Sequence, residues 1–194
     1  MLPSSPVGHV RARGGADDMA GGGSAGGVAN GSKRRSFEAG HRPKFLIVVD
    51  DTPECSRAVR FGARRCARTG ASLVMLGVVS QPDNFEFLGV GEALRADAEA
   101  DADAVLDAAA VAVRRAAGVE PERVVKSGDK SDAILELIGE DPDISFLVLG
   151  AGTGSGGPGP LVSSMAGRTA ATFPIPVVIV PGDLDDEAID ALAG

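Results

Sequence analysis

The 194-residue sequence has no tryptophan, no tyrosine, only two cysteines and two histidines, and no long apolar run. A chain without about 18 consecutive apolar residues is not expected to cross a bilayer, and the first charged residues are not followed by the apolar segment of a secretory leader. Both histidines, His9 and His41, precede the first apolar segment, so the folded part lacks a histidine for a catalytic triad or a general base. The sequence therefore predicts a cytoplasmic protein without a membrane span and without catalytic residues.

The two cysteines, Cys55 and Cys66, lie eleven positions apart in a segment whose apolar residues have helical spacing. Eleven residues of helix extend about 16 Å along the axis, which is beyond the reach of a disulfide bond. We therefore expect two buried thiols rather than a bridge.

Charge is distributed unevenly along the chain. The net charge is −8, yet residues 1–42 carry six basic and three acidic residues, and the remainder carries thirteen basic and twenty-four acidic residues. A folded part of this acidity is not expected to bind the phosphate backbone of a nucleic acid.

The composition divides the chain into three parts. Residues 1–42 contain ten glycines and no apolar periodicity, which is typical of a disordered tail, here a basic one. Residues 43–182 alternate buried-strand patterns with amphipathic helical patterns, and residues 183–194 resemble a short acidic helix with Asp183 as its predicted N-cap. We expect one folded domain between a tail and a terminal helix.

The predicted strands are "KFLIVVDD", "SLVMLGVV", "RVVKSG", "ISFLVLG" and "PVVIV", each separated from the next by a helical segment. Helices long enough to cross back over the sheet predict a doubly wound α/β fold with five parallel strands. Ligands of such sheets bind outside the carboxyl ends of the strands. The residues at these ends, among them Asp50, Asp51, Val78, Gly128 and Gly150, are therefore the candidates for a binding site.

A glycine-rich segment, "GAGTGSGGPGPLVSS", follows the fourth predicted strand. It contains the pattern GxGxxG twice, but the dinucleotide fingerprint belongs to the first strand-to-helix turn, and Pro158 and Pro160 interrupt the pattern here. A P-loop is excluded because no Gly-Lys-Ser/Thr follows. Two interpretations stay open: a phosphate cradle completed by the hydroxyls of Ser163 and Ser164, or a connector with one of these serines as the N-cap of a helix that begins there.

Residues 43–182 resemble a universal stress protein domain. The resemblance rests on "LIVVDDTPECSRAVRFGARRCARTGASLVMLGVV", on Gly128-Asp129, and on "VLGAGTGSGGPGPLVSSMAGRTAATFPIPVVIV". It implies a Rossmann-like fold of the adenine nucleotide alpha hydrolase type and, in the members that bind ATP, a motif G-x-x-G-x9-G-S/T. Counted from Gly150, Thr153 and Ser163 replace two motif glycines and Ser164 holds the last position, while Gly152 and Gly154 flank Thr153.

The resemblance also implies roles for these residues and a function. Asp50 would lie near the adenine or ribose, Val78 against the base, and Gly128 beside the nucleotide, which would be ATP, with any Mg²⁺ arriving on its phosphates. We expect weak adenine-nucleotide binding by a regulator of the stress response, with at most slow ATP hydrolysis and no dedicated metal site. The candidate binding residues are Asp50, Asp51, Val78, Gly128, Gly150, Gly152, Thr153, Gly154, Ser163 and Ser164.

The apolar fifth strand, at residues 175–180, would be an exposed sheet edge in a monomer. The resemblance implies that a second copy covers it in a homodimer, and residues 183–194 are the alternative cover. The alternative function is a dimeric interaction module of the same fold that binds no nucleotide and whose glycine segment is structural.

Overall fold

The computed structural model describes residues 33–80, 91–167 and 171–194. Strands and helices alternate through these residues, as the sequence predicts. The strands are β1 (Lys44–Val48), β2 (Ser72–Val79), β3 (Glu122–Ser127), β4 (Ile144–Ala151) and β5 (Val177–Pro181), and the helices are α1 (Cys55–Thr69), α2 (Gly91–Ala117), α3 (Lys130–Glu140), α4 (Pro160–Ala166) and α5 (Asp186–Ala193).

The five strands form one parallel sheet in the order β3-β2-β1-β4-β5. The predicted doubly wound α/β class is confirmed. From β1 the chain winds outward to β2 and β3 on one side, and β4 and β5 continue on the other. The direction of winding therefore reverses between β1 and β4, which opens a crevice at the carboxyl ends of these two strands.

Each face of the sheet packs against its own pair of helices, because alternate residues of a strand point to opposite faces. Ile47, Leu73 and Met75 face α1 and α2 and are fully buried. Leu46 and Leu147 face α3 and α4. The strands thus carry apolar residues on both faces, which explains the continuous apolar runs in the sequence.

Both cysteines are buried in the layer between the sheet and α1, and both are free thiols. The predicted absence of a bridge between them is therefore confirmed. Burial raises the pKa of the Cys55 thiol to about 11 and that of Cys66 to about 12, so both stay protonated at neutral pH.

Helix α5 packs along α1 and buries Ile189 and Ala193. Its N-cap is Asp185, whose carboxylate accepts the backbone N–H of Ala188 at 2.7 Å, and not the predicted Asp183. The helix therefore begins two residues later than predicted. Arginines of α1 pair with its acidic residues, and these pairs are Arg57–Asp186, Arg60–Asp186, Arg60–Asp190 and Arg64–Asp190.

Residues 33–42 pack against the domain at the amino end of the sheet. The guanidinium of Arg34 donates to three backbone carbonyls, those of Ile138 (2.7 Å), Asp141 (3.1 Å) and Ile144 (3.3 Å). Ser36 is 2% exposed and donates to the Asp143 carbonyl. The predicted tail boundary at residue 42 thus lies too late. It was drawn from glycine content, which does not indicate these polar contacts. Residues 1–32 of the predicted tail lie outside the described residues.

Within the described ranges, no helix has an apolar stretch long enough to cross a membrane.

Candidate functional site

A cleft of about 430 Å³ opens at the carboxyl ends of β1 and β4, where the winding of the sheet reverses. Its size falls in the range of small-molecule sites. Three of the predicted binding residues line it, namely Asp50, Gly128 and Gly150. The remaining lining residues were not among the predicted binding residues, and they are Val48, Thr52, Glu54, Cys55, Ser80, Asp129, Lys130, Ser131, Leu149, Pro158, Gly159, Pro160, Leu161 and Val162.

Asp50 follows β1 and is held by two neighbours. One carboxylate oxygen accepts the hydroxyl (2.6 Å) and the backbone N–H (3.2 Å) of Thr52, and the other accepts the Lys130 ammonium at 2.9 Å. Partial burial acts to raise the pKa of Asp50, but donation from Thr52 and Lys130 outweighs it and leaves this pKa below its ordinary value. Asp50 is therefore an oriented carboxylate at neutral pH.

Asp129 is the N-cap of α3, on the opposite wall of the cleft. Its carboxylate accepts the backbone N–H groups of Ser131 (2.7 Å) and Asp132 (3.1 Å). These are two of the N–H groups that a helix leaves free at its start. Asp129 therefore satisfies two N–H groups at the start of α3, and Lys130 is the cation that this helix start brings to the cleft.

Gly150 lies near the end of β4, against the start of α1. A Cβ at this position would lie 2.4 Å from the carbonyl oxygen of Glu54, which is much closer than nonbonded atoms approach. The missing side chain thus lets the end of β4 pack against the first turn of α1. Gly150 is needed for the fold whether or not the cleft holds a ligand.

The glycine segment after β4 contains backbone hydrogen bonds between its own residues. The Gly152 N–H donates to the Pro158 carbonyl at 3.3 Å, and the Gly157 N–H donates to the Gly154 carbonyl at 3.0 Å. Thr153 and Gly154 are exposed and lie outside the set of residues that lines the cleft. The part of the segment that lines the cleft is its end, at Pro158 and Gly159.

Helix α4 begins at Pro160, so the prediction that a helix begins at Ser163 or Ser164 is wrong. Gly159 is the N-cap, with φ = 92°, a conformation that favours glycine. The Ser163 N–H makes an ordinary helical bond to the Gly159 carbonyl, and both serines are exposed. Pro160 explains the difference, because its fixed φ suits the first position of a helix. Neither serine lines the cleft or caps the helix.

Three further predicted residues also lie outside this cleft. Asp51 is exposed and borders a second cavity, of about 480 Å³, between α1 and α2. Val78 is half-buried against the α3 and α4 layer, near the end of β2. Gly152 lies beside the glutamate of the cleft wall, since a Cβ on it would be 3.1 Å from Glu54 Oε1.

Lys130 is the candidate site residue that sequence reasoning missed. Its signal was the run Gly128-Asp129-Lys130-Ser131 directly after β3, where a helix start brings a cation to the carboxyl end of the sheet. In the sequence, the cation nearest to the glycine segment is Arg168, which lies outside the described residues. Among the described residues, no three His, Cys, Asp or Glu side chains are grouped closely enough to hold a metal ion.

Comparison with known proteins adds a family and several related folds. The family model described as "Universal stress protein family" matches residues 41–181. Three solved structures share the fold, and each match covers 71% of this chain. A protein of the universal stress protein family from Burkholderia pseudomallei is 21% identical, with 95% of that chain covered and a TM-score of 0.55, and UspA from Lactobacillus plantarum is 19% identical, with 97% covered and a TM-score of 0.59. A universal stress protein from Archaeoglobus fulgidus in complex with dAMP is 17% identical, with 97% covered and a TM-score of 0.52. No curated protein matches the chain.

Proposed function

Because the chain belongs to the universal stress protein family, we propose that it binds an adenine nucleotide weakly in the cleft beside Asp50, and that it acts as a cytoplasmic regulator of the stress response. The observation that carries the proposal is the cleft itself. It lies at the reversal point between β1 and β4, where doubly wound sheets bind their ligands.

The cleft offers the two kinds of surface that a nucleoside needs. Val48, Leu149, Pro160 and Leu161 supply apolar surface for a base, and the oriented carboxylate of Asp50 can accept hydrogen bonds from ribose hydroxyls. The dAMP complex of the Archaeoglobus fulgidus protein supports an adenine nucleotide as the ligand. ATP is the form that the family motif suggests, and Mg²⁺ would accompany its phosphates.

An exchange of one lining side chain tests this proposal. Ser131→Trp places a large ring in the cleft from the first turn of α3, and Leu135→Trp is the matched control on the same helix, since Leu135 is exposed and does not line the cleft. Calorimetric titration of the full chain with AMP and with ATP, with and without Mg²⁺, should show binding that Ser131→Trp removes and Leu135→Trp retains. Gly150→Val is unsuitable as a test, because it would damage packing as well as any binding.

The alternative function is a nucleotide-free interaction module, and one observation favours it. Several polar groups in and beside the cleft are already satisfied within the protein, since Lys130 pairs with Asp50, Asp129 caps α3 and the Gly152 N–H bonds within its own segment. If millimolar adenine nucleotide of every kind gave no heat, nucleotide binding would be excluded and this module would become the function to pursue.

We also propose a homodimer that forms through β5. This strand is an edge of the sheet, and its Ile179 side chain is 41% exposed. The described C-terminal helix α5 packs on α1, which leaves the predicted role of covering the edge to a second copy.

Sedimentation of an edge variant tests the dimer. Ile179→Lys puts a charge on the proposed interface and should convert a dimer into a monomer, because lysine on an edge strand opposes pairing. Leu192→Lys is the control, since Leu192 is 62% exposed on α5. A wild-type chain that sediments as a monomer would exclude this dimer.

A further inference from the structure

We infer that the cleft selects among adenine compounds by charge: it prefers adenosine and its monophosphate to metal-free ATP, and Lys130 and Glu54 set this preference in opposite directions. The inference rests on the proposed function, because it concerns the ligand class of the same cleft. It does not follow from the glycine pattern, which points to a triphosphate.

The ionised groups of the lining are mostly acidic. Asp50, Glu54 and Asp129 contribute three carboxylates, whereas Lys130 is the one cation among the described lining residues. The formal charge of the cleft is therefore −2. A ligand that carries several phosphate charges enters a field of its own sign, while the nucleoside part meets apolar and hydrogen-bonding surface.

Lys130 can serve one phosphate but not three. Its ammonium lies 2.9 Å from Asp50 Oδ2, so part of its charge is already balanced, but an ammonium has three donors and this side chain remains 39% exposed. A single phosphate can share the ammonium with Asp50. Further phosphates would extend beyond it without another lining cation to meet them.

Glu54 lies where a phosphate chain would follow the glycine segment. Its Oε1 would be 3.1 Å from a Cβ on Gly152, so the carboxylate sits beside the backbone that a cradle would use. No ion-pair partner for Glu54 occurs among the described residues. A phosphate placed along Gly152 would therefore approach an uncompensated carboxylate.

Four backbone donors beside the cleft are engaged elsewhere. The Gly152 and Gly157 N–H groups bond to carbonyls of the same segment, and the N–H groups of Ser131 and Asp132 bond to Asp129. Pro160, at the first position of α4, has no N–H. These groups are therefore not free to offset the charge of a second and third phosphate.

The size of the effect follows from Coulomb's law. Two unit charges about 4 Å apart in a water-like medium interact with an energy that corresponds to about fivefold in affinity. We therefore expect AMP to bind at least about fivefold more tightly than ATP when the metal is chelated, and Mg²⁺ to narrow the difference because it neutralises phosphate charge.

The experiment is calorimetric titration of the full chain with adenosine, AMP and ATP in chelator, repeated with Mg²⁺. Glu54→Gln should strengthen metal-free ATP binding by about fivefold and leave adenosine unchanged. Lys130→Gln should weaken AMP by about fivefold and adenosine much less. The matched controls are Glu136→Gln and Lys126→Gln, which remove the same charges from residues that do not line the cleft.

The outcomes separate this inference from the proposed function. Metal-free ATP that binds as tightly as AMP, or a Glu54→Gln chain with unchanged ATP affinity, overturns the selection by charge and leaves nucleotide binding intact. If adenosine, AMP and ATP all give no heat of binding, the proposed function is overturned and the inference with it. Thermal unfolding of each variant shows that the folded chain is the species titrated.

Discussion

The two ends of the sheet are built in different ways. At the amino end, Arg34 and Ser36 bond to backbone carbonyls, His41 lies 2.7 Å from Asp143, and Lys44 pairs with two acidic side chains. At the carboxyl end, the chain leaves a cleft of about 430 Å³ between the ends of β1 and β4. One end is closed by polar contacts, and the other is open.

This difference separates stability from recognition. Contacts at the closed end hold the N-terminal segment to α3 and β4, so their loss should lower the free energy of unfolding without a change in ligand affinity. Substitutions of residues at the open end should change ligand affinity without lowering the free energy of unfolding. Gly150 is the exception that tests this comparison, because it lines the cleft and is also needed for packing.

Gly150→Ala should give the largest effect. The new Cβ would lie 2.4 Å from the Glu54 carbonyl oxygen, so the ends of β4 and α1 must move apart. We expect the free energy of unfolding to fall by about 3 kcal/mol. Denaturant unfolding measures it, and Gly154→Ala is the control, because a Cβ there has no neighbour within 4 Å. Equal stability of the two variants would contradict the packing role of Gly150.

Arg34→Ala should follow in size. The substitution removes a charged donor from the carbonyls of Ile138, Asp141 and Ile144, and hydrogen bonds to charged groups contribute more than neutral ones. We expect a loss of about 2 kcal/mol in denaturant unfolding, with nucleotide affinity unchanged. Arg42→Ala is the control, since Arg42 is exposed. A variant as stable as this control would mean that residues 33–42 do not stabilise the domain.

Asp190 lies on α5, which packs along α1, and pairs with Arg60 and Arg64. Donation from Arg64 and Arg60 holds the pKa of Asp190 well below its ordinary value of 3.8. The folded state thus favours the ionised form of Asp190. The ion pairs with Arg60 and Arg64 therefore stabilise the protein at a pH above the ordinary pKa of Asp190, and this stabilisation is lost as the pH falls below that pKa.

Asp190→Asn should accordingly lower stability at neutral pH, by less than Arg34→Ala because salt screens pairs at the surface. The difference from wild type should shrink in unfolding experiments near pH ~2.5. The control is Asp183→Asn, at an exposed site in the same C-terminal region. A constant difference at both pH values would assign the effect of Asp190→Asn to packing.

The fold could be predicted because its signals are local. Apolar runs such as Lys44–Val48 mark strands buried on both faces, and Gly70 ends α1 in the left-handed conformation that glycine favours. The ordering of residues 33–42 could not be predicted, since Arg34 bonds to carbonyls more than a hundred positions away. The composition of a segment indicates how much conformational entropy is lost when it becomes ordered, but not which distant residues it contacts.

Sequence reasoning could predict only those residues of the candidate site that lie at the ends of strands. Asp50, Gly128 and Gly150 lie at or just beyond the carboxyl ends of strands and reach the cleft. Lys130 was missed because its role depends on α3 beginning opposite Asp50, which is a tertiary relation. The sequence predicted that a helix begins at Ser163 or Ser164, whereas Pro160 sets the start of α4 earlier.

Ser163→Gly should give the smallest effect and tests the motif directly. If the glycine of the family pattern were needed at this position, restoring it would strengthen ATP binding. In the structure Ser163 is an exposed residue inside α4, where glycine costs about 0.5–1 kcal/mol of stability and adds no contact to the cleft. Titration should therefore show unchanged ATP affinity, with a small loss in denaturant unfolding. Tighter ATP binding would mean that the first turn of α4 unwinds around the phosphates, and the open end of the sheet would then include a rearranged helix start.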